Sequence, residues 1–566
     1  MISSNISRRS LLGVGLTAAG ATAFGLTACG SSSGNGGPSG NGSAAGPATV
    51  PTYRAQPLAD AEAINSSIPG IRPVYTTRPA EYWQSVEQPP GSGESVTTLQ
   101  MLWFAPPDAL PENPVWQELN ERLNVDFQPG YASGENYQQK IATTLASGDL
   151  PDIMFLQDGE PAVQQAITDG AFADLSEVLG GDGVLDYPNL ANIPTHSWKN
   201  SMKQGRILGV PRTDPTITKA TVMRRDIADA IGLSGQPADA AELREAFSEV
   251  TAYAEAEGLD LWPVAGLGTY EIELAARWMF RVGTDWQLDG SGKLVNFVET
   301  DAYAAAIEWL AGVWSDGSFH PDGLALGTGA QRNNAKQLFM DGKTFFEADD
   351  ASWLATQGMN QAELTVQGAQ CEFLLVPGHD GGEIVVPAGN GYWGICGFPA
   401  SVSDDPDRLR ELLGVLDFWA APFGTKEKLL LSMGVEGYNW ERGADGEIVP
   451  IDDAAAQTNR QGLTWLGVQG PSVITLDEDN GHRAEGLMAQ MEHVTSAAVD
   501  SPVLGLTPPS GASMGARLTQ IHEDWRNQIV SGRSPLDALE DWRQEWRNAG
   551  GDQIRTELEE LLAAND

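Results

Sequence analysis

From residue 96 to residue 562, short apolar runs alternate with stretches whose apolar residues recur every three or four positions, and this alternation most restricts the fold. A run of four to eight apolar residues suits a strand, whereas three-to-four spacing gives one buried helical face. Residues 96–104 read as a strand, and Pro114–Leu123 sets Val115, Trp116, Leu119 and Leu123 on one helical stripe. A short strand is expected over 125–127, then a helix over 137–146 stopped at Ser147-Gly148, then a buried strand over 152–156. Further helices are expected over Ala240–Glu257, 303–315, 408–421, 515–531, 535–549 and 552–562. Such alternation predicts an α/β architecture with parallel sheets, and no period of solenoid length interrupts it.

The first thirty residues indicate where the body works. Ser7-Arg8-Arg9-Ser10-Leu11-Leu12 is a twin-arginine pair leading into an apolar run that ends in Leu26-Thr27-Ala28-Cys29. This is an export signal, too short and wrongly flanked for a membrane span, and its arginine pair suits export of an already folded protein. Leu-x-Ala-Cys is the bacterial lipoprotein pattern, so residues 1–28 read as a signal peptide and Cys29 as the lipidated new N-terminus. The plainer alternative is an ordinary signal with Cys29 removed or left free. Residues 30–48 are Gly, Ser, Asn and Pro, a flexible tether. The Pro-rich, polar stretch 50–95 is expected to be a loosely ordered arm, so that 29–95 is tether and arm together.

With 76 acidic against 34 basic residues the net charge is −42. That excludes nucleic acid and an anionic lipid surface as partners, since both demand clustered Lys and Arg. No later run reaches the ~20 apolar residues of a membrane helix. Cys371 and Cys396 suit either one disulfide or two small buried hydrophobes.

Several motifs mimic catalysis. Gly511-Ala-Ser513-Met-Gly515 has the form of a nucleophile elbow, but Pro508 and Pro509 spoil the strand that must precede it. Gly389-Asn-Gly391-Tyr-Trp-Gly394 has the form of a dinucleotide fingerprint, yet a strand-like segment follows where a helix start is required. The six histidines fall in no zinc spacing. Asp285-x-Gln287-x-Asp289-Gly-Ser-Gly292 and Asp477-Glu-Asp-Asn-Gly481 loosely resemble calcium loops but lack the EF-hand pattern. The expectation is no enzyme and no cofactor, with a structural calcium ion at an acidic turn as the alternative.

A series of segments in order carries a resemblance: Trp116-Gln-Glu-Leu-Asn-Glu-Arg-Leu-Asn-Val125, Ala146-Ser-Gly-x-x-Pro-Asp152, Gly170-Ala-Phe-Ala-Asp-Leu175 and Gly205-Arg-Ile-Leu-Gly-Val-Pro211. Arg224-Arg-Asp226 with Gly232, Gly434-Val-Glu-Gly-Tyr438 and Ile529-Val-Ser-Gly-x-x-Pro-Leu-Asp537 follow. Together they resemble the bacterial extracellular solute-binding proteins of the family 1 type, carbohydrate-receptor lipoproteins of ABC importers, in the long LplA-type subgroup. The resemblance implies a two-lobed, periplasmic-binding-protein-like α/β fold (type II) with the ligand in a cleft between lobes joined by hinge strands. By the same resemblance lobe I is 96–218 plus 371–432, and lobe II is 219–370 plus 433–566. It further implies a monomer on the outer face of the cytoplasmic membrane, held only by the Cys29 lipid, that passes a carbohydrate, most simply an oligosaccharide, to permease subunits. The alternatives are a same-fold receptor for a peptide or other polar solute, and a secreted glycan-active enzyme.

Sugars present flat C–H faces and paired hydroxyls, which call for aromatic rings and planar polar groups. Of the 17 tryptophans, those on helical stripes (Trp116, Trp309, Trp314, Trp419, Trp525, Trp542, Trp546) are expected in the core. Those bounded by Gly, Pro or Asp are ligand-binding candidates: Trp103, Trp353, Trp393 and Trp440, with Tyr438. Polar candidates are Asp158, Arg212, Tyr270 and Glu271, each beside a strand end or helix start.

Overall fold

Residues 50–95 do not hang loose. In the computed structural model, which describes residues 48–566 apart from positions 69, 103–105, 109–111, 158, 269–270, 329–330, 445–446, 461–462, 464–466, 472, 477 and 566, this arm is bonded to the body along its length. Backbone N–H groups of Ala48 and Thr52 donate to the carbonyls of Gly205 and Gly181, and Gln56 bonds to Asn192 and Pro188. The arm then forms the antiparallel pair β1 (Ala63–Ile64) and β2 (Val74–Tyr75). It returns with Trp83 bridged to Thr425 and with the N–H groups of Ser85 and Val86 on the Glu427 carboxylate. An arm that finds its backbone partners in the body shows no periodicity of its own, which is why its composition suggested looseness.

The body begins with β3 (Ser95–Leu102), β4 (Asp126–Ser133), β5 (Ile153–Gln157) and β6 (Val210–Thr213). The chain then crosses to β7 (Lys219–Arg224) and continues through β8 (Trp286–Leu288), β9 (Leu294–Asn296), β10 (Phe346–Asp350), β11 (Cys371–Phe373) and β12 (Val386–Pro387). It crosses back to β13 (Tyr392–Gly397) and the hairpin β14 (Trp440–Arg442) and β15 (Ile448–Pro450). A third crossing leads to β16 (Ile474–Thr475), parallel to β2, and to β17 (Ala498–Val499), parallel to β12.

Two sheets organise two lobes. The first has the order β4-β3-β5-β13-β6 and the second β10-β7-β11. β4, β3 and β5 are parallel, whereas β13 runs against both β5 and β6. The second sheet is antiparallel throughout, so the expectation of parallel sheets holds for half of one lobe. β13 breaks it because it re-enters from the other lobe. β4 is longer than the expected 125–127 despite Pro129, and its edge position explains this, since an edge strand tolerates a missing N–H.

The first lobe has one core, drawn from Val96 through Val210 and again from Tyr392 through Val468. The second packs a core on each face of its sheet: Met223, Phe346 and Leu374 on one, Ala220, Val222 and Phe373 on the other, the latter joined by Val74 of the arm. Two expected boundaries shift accordingly. β11 pairs with β7, so the chain remains in the second lobe past residue 371 and returns only after Val386. Leu463 and Val468 lie in the first core, so the third crossing falls after residue 468 and not at 432.

The helical stripes behave as read. Pro114–Leu123 buries the four named residues under an Asn113 cap, and Ala240–Glu257 runs from an Asp239 cap to left-handed Gly258. Trp116 and Trp419 are each 1% exposed, Trp542 is fully buried and Trp309 and Trp546 are buried, so these helical tryptophans are core, whereas Trp314 and Trp525 are half-buried and only pack against it. No helix among the described residues is long and apolar enough to cross a membrane.

Candidate functional site

β3, β4, β5 and β6 all end on one edge of the first sheet, and the first crossing leaves from that edge at Thr213. In the second lobe the crossing enters at Lys219, which sits opposite Asp350 at the end of β10. The crossings are tied together: Gly389 N–H donates to Thr216 O at 2.7 Å, Asp214 N–H to Gly391 O at 3.1 Å, and the Thr213 hydroxyl to Gly470 O at 2.8 Å. Gly391 has φ +78°, and a Cβ there would stand 2.2 Å from the His196 ring. Cavities of about 390 and 330 Å3 flank the first crossing, one walled by Arg72, His196 and Asp214, the other by Lys219, Trp278 and Asn390.

On the first lobe's edge, Trp393 lies half-buried with its ring 5.1 Å from that of Phe155. The Arg212 guanidinium stands 5.9 Å from the Trp393 ring and 6.0 Å from Phe155. Arg212 is 3% exposed and donates to Gly467 O at 2.8 Å; burial brings it down to about 10. It is part of the wall. Half-buried Tyr438 accepts a hydrogen bond from Asn459 Nδ2 (2.8 Å), which also reaches Asp108 (3.0 Å) in the loop after β3. Trp440 has no open face: it is 3% exposed and its indole N–H donates to Gly434 O. The residue opens the β14–β15 hairpin with its ring buried beside Gly434, so the expectation of a ligand-facing Trp440 is not met.

On the second lobe's edge, Arg332 is bound by Glu271 (3.0 Å), Glu347 (2.9 Å) and Asp349 (3.1 Å). Lys336 lies 2.7 Å from Asp349, and Lys219 lies 3.4 Å from it. Burial alone would raise Asp349, but Arg332, Lys219 and Lys336 hold it at about 2. Glu271 is 4% exposed, and burial with the neighbouring Glu347 pushes it up to about 7. It holds Arg332 in place and is closed to a guest. Trp353 follows Asp350, whose carboxylate accepts from the N–H groups of Ser352 and Trp353. Lys336 Nζ lies 3.6 Å from the Trp353 ring centroid, and the ring is half-buried.

Trp103, Asp158, Tyr270 and Cys29 lie outside the described residues; the strands before Trp103 and Asp158 end on the crossing edge. Of the remaining candidates, Trp393 lies at the start of β13 and Trp353 just after β10, each at the crossing end of its sheet, and Tyr438 is tied through Asn459 to Asp108 in the loop after β3. Sequence reading missed Lys219, Arg332, Lys336 and Asp349, although Asp349-Asp350 stood next to a chosen Trp. It also missed Arg72 of the arm, which with Asp214 walls the cavity of about 390 Å3 at the first crossing. Burial, with Asp350 adding, raises Asp214 to about 6.

The lookalike motifs have ordinary roles. Ser513 is inside the helix Gly511–Val530, its hydroxyl donating to Ser510 O, and no strand precedes it. Gly391–Gly394 leads into β13. The Asp289 carboxylate accepts from Ser291 and Lys293 in the β8–β9 turn, while Asp285 pairs with Arg277. Cys371 and Cys396 are free thiols in different lobes, each pushed up to about 12 by burial.

Two separately cored lobes, joined by hydrogen-bonded crossings and each bearing aromatic or ionic groups near its crossing end, define a two-lobed fold. Residues 115–392 match the family described as bacterial extracellular solute-binding protein. The chain is 23% identical over 500 residues to Lipoprotein LipO of Bacillus subtilis (strain 168), covering 84% of this chain and 93% of LipO. It is 22% identical over 495 residues to the polygalacturonan/rhamnogalacturonan-binding protein YtcQ of the same strain, covering 84% and 92%. Its fold is shared with an HMO binding, ABC-transporter associated solute-binding protein from Bifidobacterium longum infantis ATCC 15697, at 15% identity, TM-score 0.61, and 83% and 99% coverage.

Proposed function

We propose that the chain is the lipid-anchored receptor of an ABC importer, acting as a monomer that captures an oligosaccharide between its lobes and presents it to membrane permease subunits without altering it. The observation that supports this is that each lobe carries half-buried rings near the end of its sheet where the crossings run: Trp393 and Tyr438 on one, Trp353 on the other. Half-buried ring faces suit the C–H faces of sugars, and ionic groups beside them suit hydroxyls. Closure over the guest would be a hinge motion, driven by contacts present only when the lobes meet. The names of YtcQ and of the HMO binding protein support a carbohydrate guest; the name of LipO and the Leu26-Thr-Ala-Cys29 pattern support the anchor.

The test is a thermal-shift screen of the purified chain against mono- and oligosaccharides. A cognate sugar raises the melting temperature, because a guest that binds only the native state stabilises it by mass action. A complete panel without any shift contradicts the sugar reading, and a shift with peptides in its place selects the peptide-receptor alternative. For the anchor, Cys29→Ala is expected to release the protein from the membrane fraction, and unchanged retention refutes lipidation.

A further inference from the structure

We infer that the arm builds a sugar subsite of its own: a ring of the guest lies on Tyr53, and its hydroxyls meet the Arg72 guanidinium and the Asp214 carboxylate in the cavity of about 390 Å3 at the first crossing. This rests on the carbohydrate reading above. Tyr53 is 50% exposed, and among the described residues no other Phe, Tyr or Trp is exposed, so this ring is open to a C–H face of a sugar. The backbone on either side of it is fixed to the first lobe. Thr52 N–H donates to Gly181 O at 2.8 Å, and Arg54 N–H donates to Ala191 O at 2.7 Å.

Arg72 comes from the other lobe. Ile71 before it packs on the second-lobe core that holds Val74 and Phe373, and Pro73 O after it accepts from Ile474 N–H at 3.1 Å. The Arg72 Nη2 is buried without a hydrogen-bond partner, and no ion pair holds the guanidinium among the described residues. A buried donor left in that state is costly until an acceptor reaches it. Asp214, on the crossing, is exposed in the same cavity, and its carboxylate accepts no hydrogen bond among the described residues. A donor set and an acceptor set, both unengaged, thus line one cavity. A sugar hydroxyl donates and accepts, so a neighbouring pair of them can take the guanidinium and the carboxylate together. Pro194 and Pro471 add apolar surface for the rest of the ring. Because Tyr53 is fixed to the first lobe and Arg72 to the second, a guest seated here bridges the lobes across the crossing.

The test is calorimetric titration of the full chain with linear β-1,4-linked trisaccharides of mannose, galactose, glucose and xylose, and with the panel sugar that most raises the melting temperature. Tyr53→Ala and Arg72→Gln are each expected to weaken binding at least fivefold, with the guest-free melting temperature of Tyr53→Ala unchanged. Tyr53→Phe, which keeps the ring, is expected to stay within twofold of the parent chain. Leu58→Ala alters an arm residue that is 76% exposed and outside the cavity, and is expected to leave affinity unchanged. Affinity within twofold of the parent in either Tyr53→Ala or Arg72→Gln overturns this inference and leaves the carbohydrate reading standing. A fivefold loss in Leu58→Ala also overturns it, because that loss reports a loosened arm and not a subsite. Binding of no sugar, in these titrations or in the thermal-shift panel, overturns both.

Discussion

Lys336 lies between an aromatic face and a carboxylate, its Nζ 3.6 Å from the Trp353 ring centroid and 2.7 Å from Asp349. The ion pair pins the lysine, and the lysine in turn sets one face of the indole at the edge of the second lobe. Trp353→Ala is expected to weaken binding of the cognate sugar at least tenfold, consistent with an aromatic contact of roughly 1.5 kcal/mol. The melting temperature should change little, because the ring is only half-buried. Calorimetry and a thermal melt on the same variant check both halves.

Asp417 is held up at about 7 by burial and the nearby Glu427, against the N–H groups of Asn189 and Leu190 that favour its charge. In the unfolded chain this carboxyl ionises near pH ~4. Between those values the folded state keeps a proton that the unfolded state has lost, so stability falls as pH rises toward 7. Glu271, also near 7, adds in the same direction. Urea unfolding is expected to give a lower free energy at pH 8 than at pH 5.5, by roughly 3 kcal/mol. Asp417→Asn, which keeps an acceptor for both N–H groups, should flatten part of that slope; an unchanged slope refutes the assignment.

Arg526 Nη1 meets Glu273 at 2.6 Å, and Glu273 also accepts from the Tyr303 hydroxyl, with His522 Nε2 2.7 Å from that hydroxyl and 3.3 Å from the carboxylate. Arg526 is 1% exposed and Glu273 is fully buried. Arg526→Met strands a buried carboxylate and is expected to cost about 3–5 kcal/mol in urea unfolding. The double variant Arg526→Met, Glu273→Met should recover most of the loss.

How much of this was readable without coordinates depends on how local the cause is. The stripe Val115, Trp116, Leu119 and Leu123, the strand β5 and the positions of Trp353 and Trp393 each follow from a few neighbouring residues. The arm's docking, the Arg332 network and the place of Arg72 join segments far apart in the chain, and no window of sequence contains them. Trp440 failed for a related reason: Gly437 marks a turn correctly, but nothing local tells which way the ring after it points.

The arm gives a fourth prediction. Val74 is fully buried in the second lobe's core, and β2 pairs with β16 just after the third crossing, while the Tyr75 ring lies 4.6 Å from Phe423. Val74→Asp places an unpaired charge in that core and is expected to cost about 3 kcal/mol or more. It should also weaken sugar binding, since Arg72 is two residues away. Stability and affinity that both match the parent chain would show the arm to be dispensable.

The most direct measurement of a guest held between lobes is the distance between them. Spin labels at Glu121→Cys on the first lobe and Glu257→Cys on the second, both at exposed positions, report it by pulsed electron resonance. Addition of a neutral oligosaccharide that raises the melting temperature is predicted to shift the distribution to shorter distances. Saturating binding that leaves the distribution unchanged would contradict capture by lobe closure.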